Sequence, residues 1–262
     1  MINKINSGTK QLIIEEKDNI ISLILNNPSN KNALSEDLTP HLRKILKKIS
    51  KDSKYKLLII KGANNSFCSG GNIKKMSNTG TNKKVSADNK VKDLIKKQLT
   101  LTHLISSLKI PTIAVVTGPA AGAGFSLALS CDIRIGNKNA FFLSNYSKIG
   151  LTGDYGISWY LSKLLGSSKA KEIMFINNRI YAEEAYKIGL LNFLFKEKFD
   201  ENVEFITSQI VNQSSLALAL IKKNINYAVK NTLKNTLKLE AKHLIQSSMS
   251  KEHKIAIEKF KK

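Results

Sequence analysis

Residues 110–136 read IPTIAVVTGPAAGAGFSLALSCDIRIG. An apolar run of strand length, residues 110–118, opens the stretch and ends at glycine. A second, DIRIG, closes it. Between them lie small apolar residues that suit the start of a buried helix. Strand, helix and strand in that order argue for a parallel sheet with a crossover helix, because parallel neighbours need a long return connection.

The same alternation extends in both directions. Upstream, QLIIEE (residues 11–16) and IISLILN (20–26) read as two strands joined by the short polar loop KDN. NNPSNKNAL (26–34) is irregular and broken at Pro28. Ser35 then suits a helix N-cap, and Leu38, Leu42, Ile45, Leu46 and Ile49 fall on one face of the helix behind it. KLLIIKG (56–62) reads as a buried strand, followed by the glycine-bearing loop NNSFCSGGNIKKM. Residues 77–85 are polar. Residues 88–108 carry helical spacing at Leu94, Leu101, Leu104, Ile105 and Leu108. Downstream, short helices are expected over 155–165, 168–176 and 182–188, and only helices from Asp200 onward. The expectation is an α/β chain with a β/α-alternating core over residues 1–195 and a helical region over 196–262. GxGxxG after a strand and GxxxxGK[ST] are both absent, which argues against the common nucleotide folds.

Composition bounds the function. The 262 residues are 42 % hydrophobic, enough for a sizeable core. No apolar run approaches the ~18 residues of a membrane span. The first 16 residues have neither an apolar core nor arginine, so neither a secretory signal nor a transit peptide is expected. Cys68 and Cys131 lie far apart and suggest neither a disulfide nor a zinc site, and the expected setting is a reducing cytoplasm. The net charge of +22 invites a nucleic-acid reading. Arginine, the residue that reads bases through its bidentate fork, occurs only at Arg43, Arg134 and Arg179. The lysines are scattered, so no specific nucleic-acid partner is expected, although the charge would steer a phosphate-bearing small molecule.

Two loops and one acid are the candidates for chemistry. FCSGGNIKKM (67–76) and GPAAGAGFSLAL (118–129) each follow an apolar strand and enter a helix-like segment. Their small residues would let a ligand approach backbone N–H groups, and helix starts leave such donors free. Close helix–strand packing is the alternative reason for small residues. The acid is Asp154, in IGLTGDYGISW (149–159). Between Pro111 and Lys171 the only other acidic residue is Asp132. Asp154 could cap the following helix, or it could act as a base. Asp132 is expected to pin a buried turn. His41, His103, His243 and His253 occupy ordinary helical positions, and no cluster has metal-ligand spacing.

Five segments, in order, resemble the crotonase (enoyl-CoA hydratase/isomerase) superfamily. They are NNPSNKNAL, SFCSGGNIKKM, GPAAGAGFSLALSCDIRI, KIGLTGDYGISWYLSKLLGSSKAKEIMF and AEEAYKIGLLN, and HKIAIEKF is similar to the family's last helix. The resemblance implies a spiral of ββα turns with a C-terminal helical trimerisation region, working as a homotrimer or hexamer. It implies an acyl-CoA thioester as substrate, with no cofactor or metal beyond the coenzyme A of the substrate. It implies an oxyanion hole from the N–H groups of Gly71 and Ala123, with Gly70 and Gly124 allowing close approach. Coenzyme A contacts would fall at Lys31, Ala33, Gly71, Asn72, Ile73 and Lys74. Asn72 stands where the family usually has aspartate.

The family's hydratases use two glutamates, and by alignment those positions hold Ser126 and Tyr146. A hydroxyl and a phenol are poor bases near neutral pH. Asp154 sits where several isomerases of the family keep a carboxylate. Its loop resembles that of the ring-1,2-epoxyphenylacetyl-CoA isomerase group, with Lys-[IL]-Gly-Leu-x-x-Asp and Ala-Ala-Gly-Ala-Gly. The resemblance therefore implies an isomerase acting on a β,γ-unsaturated or ring-epoxide acyl-CoA, with Asp154 as base and Tyr146 as a further candidate. A pocket of Leu151, Tyr155, Ile157 and Trp159 would raise the aspartate's pKa by desolvation. A hydratase with a non-standard acid pair and an inactive binding subunit are the competing expectations.

Overall fold

The computed structural model describes residues 1–71 and 86–260. Asn72, Ile73, Lys74 and the polar segment 77–85 lie outside the described residues.

The larger sheet has seven strands in the order β1 (Asn3–Ile5), β2 (Leu12–Lys17), β3 (Ile20–Leu25), β4 (Leu57–Gly62), β5 (Thr112–Val116), β7 (Ile133–Asn137) and β10 (Phe193–Phe195). β1, β2 and β3 pair antiparallel, and every later neighbour pairs parallel. Asp18 and Asn19 make the β2–β3 turn with φ of 51° and 63°. Left-handed residues there match the twist of the flanking strands. A smaller layer holds β6 (Pro119–Ala121), β8 (Phe141–Leu143) and β9 (Ile180–Tyr181). Parallel bridges at Cys68–Ala120 and Leu34–Gly71 continue that layer towards the N-terminal turns. The chain thus winds as the expected spiral. Each turn lays a long strand in the large sheet, then a short extended piece in the small layer, and returns through a helix or loop.

The apolar runs are unbroken in β4 and β5 because both faces of those strands are covered. Leu58, Ile60, Ala114 and Val116 face the main core, together with Leu42 and Leu46 of α1 (Leu38–Ile49) and Phe125 of α4 (Ala123–Leu129). Leu57, Ile59, Ile113, Val115 and Ile135 face the other way, under Val203, Ile206 and Ile210 of α7 (Phe199–Val211). The helical region beginning at residue 196 is therefore joined to the sheet through its first helix. It continues as α8 (Ser215–Ala228), α9 (Leu233–Ser248) and α10 (Lys251–Phe260).

Local signals account for most boundaries. Ser35 Oγ accepts the Leu38 N–H at 2.9 Å, where α1 begins. Residues 88–108 form two helices rather than one: α2 (Ala87–Leu99) and α3 (Thr102–Ser107). Leu101, at φ −123° and ψ −92°, breaks them apart. α5 (Ile157–Ile176) is interrupted at Gly166, where φ is 80° and ψ 160°, and α6 (Ala182–Lys187) follows β9. Asp132 is structural: its Oδ2 accepts from Thr112 N–H (2.8 Å), Thr112 Oγ1 (2.9 Å) and Lys222 Nζ (2.7 Å), tying β5 and the start of β7 to α8. Among the described residues no helix is long and apolar enough to cross a membrane.

Candidate active site

The spiral brings the two small-residue loops into direct contact. Ala121 N–H donates to the Cys68 carbonyl at 2.9 Å. A Cβ on Gly70, whose φ is +88°, would sit 2.6 Å from the Ala121 carbonyl oxygen and 3.1 Å from the Ala123 nitrogen. A Cβ on Gly124 would sit 2.1 Å from the Cys68 carbonyl oxygen. Both glycines are thus explained by backbone packing of one loop on the other, and neither lines the cavity described below. Their smallness lets one loop pack on the other.

What that packing achieves is the placement of two backbone amides. Ala123 is the first residue of α4, so its N–H has no acceptor within the helix and lies at the helix's positive end. Gly71 is held by its bridge to Leu34, whose N–H donates to the Gly70 carbonyl at 2.8 Å. Both residues line one cavity of about 640 Å³. Leu34, Ser35 and Ser69 line it near Gly71. Lys31 and Ala33 do not: Ala33 is buried and Lys31 is exposed. Lys31 adjoins this edge through its carbonyl, which accepts the Ser69 N–H at 2.9 Å.

The third element is the loop before α5. Gly150, Gly153, Tyr155 and Gly156 all have positive φ, so the segment coils tightly instead of running into the helix. The cap of α5 is Gly156, which has no side-chain cap bond, and Ile157 N–H reaches only the backbone carbonyl of Asp154, at 3.2 Å. The helix-cap reading of the Asp154 carboxylate is therefore excluded. The carboxylate lines the cavity, and its Oδ1 accepts the Tyr146 phenol proton at 2.6 Å. Ser126 Oγ, from the buried helix α4, donates to the Asp154 carbonyl at 3.0 Å. Gln98 Oε1, from α2, accepts the Tyr155 N–H at 2.7 Å. Carbonyl, carboxylate and the following amide are each fixed by a different element.

Electrostatics follow from burial. Desolvation raises the Asp154 pKa above its ordinary 3.8, and the Tyr146 hydrogen bond, which favours the anion, offsets only part of this. Tyr146 is pushed far above its ordinary 10, first by burial and then by the neighbouring Asp154 charge, so its phenol stays protonated and remains a donor. A Cβ on Gly122 would lie 4.0 Å from the Tyr146 hydroxyl, which puts the phenol beside the start of α4. The pocket expected from sequence is half right. Leu151 and Tyr155 line the Asp154 cavity, but Ile157 packs in the core and Trp159 does not line it. Trp159 points off α5 into a different, larger cavity of about 1010 Å³ against α8. Gly71, Ala123 and Asp154 do not line that larger cavity.

Sequence reasoning assigned no site role to Gln98 or Arg43. Arg43, on α1, lines the Asp154 cavity and donates to the Tyr155 hydroxyl at 3.1 Å. The rarity of arginine in so lysine-rich a chain was the available signal for Arg43. Gln98 carried none.

A sequence model described as enoyl-CoA hydratase/isomerase matches residues 15–262. The chain is 28 % identical over 242 residues to a 1,2-epoxyphenylacetyl-CoA isomerase of Escherichia coli K12, covering 92 % of this chain and 91 % of that protein. It is 30 % identical over 251 residues to a short-chain-enoyl-CoA hydratase of Clostridium acetobutylicum, covering 95 % and 94 %. The crystal structure of an enoyl-CoA hydratase from Polaromonas sp. JS666 superposes with a TM-score of 0.86 at 29 % identity, over 95 % of this chain and 96 % of that one.

Proposed function

The chain belongs to the enoyl-CoA hydratase/isomerase family, and we propose that within it Asp154 serves an isomerase that moves a double bond from the β,γ to the α,β position of an acyl-CoA thioester. One observation carries this reading. The two positions that resemble the hydratase glutamates hold Ser126 and Tyr146, and both side chains bond to Asp154. The residues in place of the glutamates thus hold a single carboxylate in the cavity.

The proposed chemistry needs one base and an anion site. The Asp154 carboxylate, through Oδ2, takes the α-proton. The C–H pair spreads onto the thioester oxygen, where the N–H groups of Gly71 and Ala123 donate to the growing charge. The protonated Asp154 then returns its proton to the γ-carbon as the double bond settles between Cα and Cβ. Proton and electrons balance without a further reactant, metal or cofactor. Tyr146 keeps Oδ1 occupied and orients the carboxylate. A raised pKa makes the carboxylate a stronger base than a free aspartate. The coenzyme A portion is assigned to the edge where Lys31 and Ala33 adjoin Ser69 and Gly70, and to Asn72, Ile73 and Lys74.

The test is a 3-enoyl-CoA supplied to purified protein while the absorbance of the conjugated thioester is followed. Asp154→Asn is expected to lower kcat by roughly 10²- to 10⁴-fold, the usual range for losing general-base catalysis. Equal activity of that variant and wild type would sink the proposal. The short Tyr146–Asp154 contact also supports a second reading, hydration by a phenol–carboxylate pair. Loss of absorbance from crotonyl-CoA would identify it.

We further assign residues 196–262 to self-association as a homotrimer, alone or paired into a hexamer. Ile221, Ile225, Leu233, Leu237, Leu244 and Ile245 support this, because α8 and α9 leave them exposed in the single chain.

A further inference from the structure

The proposed isomerisation uses Asp154, Tyr146 and two backbone amides, yet the same cavity holds a cation with no part in it. Thr39 and Arg43 stand one turn apart on α1, and both line the cavity. Arg43 Nη2 donates to Tyr155 Oη at 3.1 Å, and because the phenol accepts in that contact its own proton remains to be donated. Among the described residues, Arg43 Nε is the one buried side-chain nitrogen or oxygen without a hydrogen-bond partner. A buried donor with no partner among the described residues is unfavourable, and a ligand that draws the guanidinium into the cavity would relieve it.

The surroundings say what kind of acceptor. Lys97 also lines the cavity, with its Nζ 2.5 Å from an Asp93 carboxylate oxygen. Asp93 offsets Lys97, which leaves Arg43 as the cation beside Tyr155, and the lining carboxylates are Glu36 and Asp154. Glu36 lines the cavity at an exposed position before α1 begins, about two turns of chain from Arg43. Leu94 and Leu151 offer apolar wall between. A guanidinium edge is matched by a carboxylate, which accepts parallel N–H bonds and supplies the compensating charge. Tyr155 follows Asp154 directly in sequence and both line the cavity, so the Arg43–Tyr155 pair and the base share one space. A space of about 640 Å³ shared with the base suits a short acyl chain.

We propose that Arg43, with the phenol of Tyr155, binds a carboxylate at the far end of the acyl group, making short dicarboxylic acyl-CoA thioesters the preferred ligands. This rests on the reading that the Asp154 cavity holds the acyl chain, but not on the identity of the reaction.

The test is therefore made by binding, without turnover. Calorimetric titration of the full-length protein with adipoyl-CoA and with hexanoyl-CoA, equal in chain length, compares a terminal carboxylate with a terminal methyl. Wild type is expected to bind adipoyl-CoA at least 10-fold more tightly. Arg43→Gln is expected to remove that preference while leaving hexanoyl-CoA affinity within 2-fold, and Arg43→Lys to restore part of it. Tyr155→Phe, which keeps the ring, is expected to reduce the preference 3- to 10-fold and serves if Arg43→Gln does not fold. Equal wild-type affinities for the two thioesters would overturn the proposal, as would an equal loss for both on substitution of Arg43. Isomerisation of 3-hexenoyl-CoA, run in parallel, reports on Asp154 alone. Its failure beside an intact adipoyl preference would count against the isomerase and leave the Arg43 assignment standing.

Discussion

Asp154 is held at its carboxylate and at its carbonyl, and each contact gives a different expectation. At the carboxylate, Tyr146 donates a hydrogen bond that favours the anion, while burial favours the protonated form and prevails. A base must be ionised, so activity is expected to fall as pH drops through a value above the ordinary 3.8. Tyr146→Phe removes the interaction that lowers this pKa, so the acidic limb of its pH–rate profile is expected to move to higher pH, with kcat reduced. An unchanged limb would mean that the phenol does not govern the base. At the carbonyl, Ser126→Ala removes one of two donors and leaves only the Ile157 N–H at 3.2 Å. A cost of about 0.5–1.5 kcal/mol in urea unfolding is expected, with a further fall in kcat as the loop loosens. That Asp154 is a lone acid in an apolar segment was legible in the sequence. The direction of its carboxylate was not, because that depends on four positive-φ residues that turn the loop away from α5.

Among the elements, the junction of the two glycine loops carries the most exact packing. A methyl group at residue 124 would need room already held by the Cys68 carbonyl, a backbone atom that cannot swing aside. Gly124→Ala is expected to destabilise by about 1–3 kcal/mol, as overpacking usually does, and to displace the start of α4 on which Ala123 sits. Urea unfolding and thioester turnover should fall together; a variant with normal stability and activity would contradict the packing account. The long strands were readable because their apolar runs are unbroken. β6, β8 and β9, only two or three residues each, were not. Such short pieces have no period of their own and exist because the spiral sets them beside one another. The same holds for the break at Leu101, which apolar spacing reads straight through.

For the molecule as a whole, the proposed trimer predicts a sedimentation velocity profile of a trimer or hexamer at micromolar concentration, and a monomer would refute it. Lys222→Met offers a second measure. It removes the ammonium that joins α8 to Asp132 and to the Ile110 carbonyl, in a site where the lysine side chain is only 9 % exposed. The α8–α10 region is expected to become more open to proteolysis while the sheet survives. The sequence by itself determined strand–helix alternation closed by a helical region, and its motifs resemble those of a family whose fold is a ββα spiral. It also determined the missing glutamates and the lone aspartate, since those are matters of residue identity. Tertiary structure decided that this aspartate faces a cavity, that Ser126, Tyr146 and Gln98 hold it, and that Arg43 meets Tyr155 across 112 residues of chain. Identity and spacing are written along the chain, whereas direction and long-range contact arise only when distant turns pack.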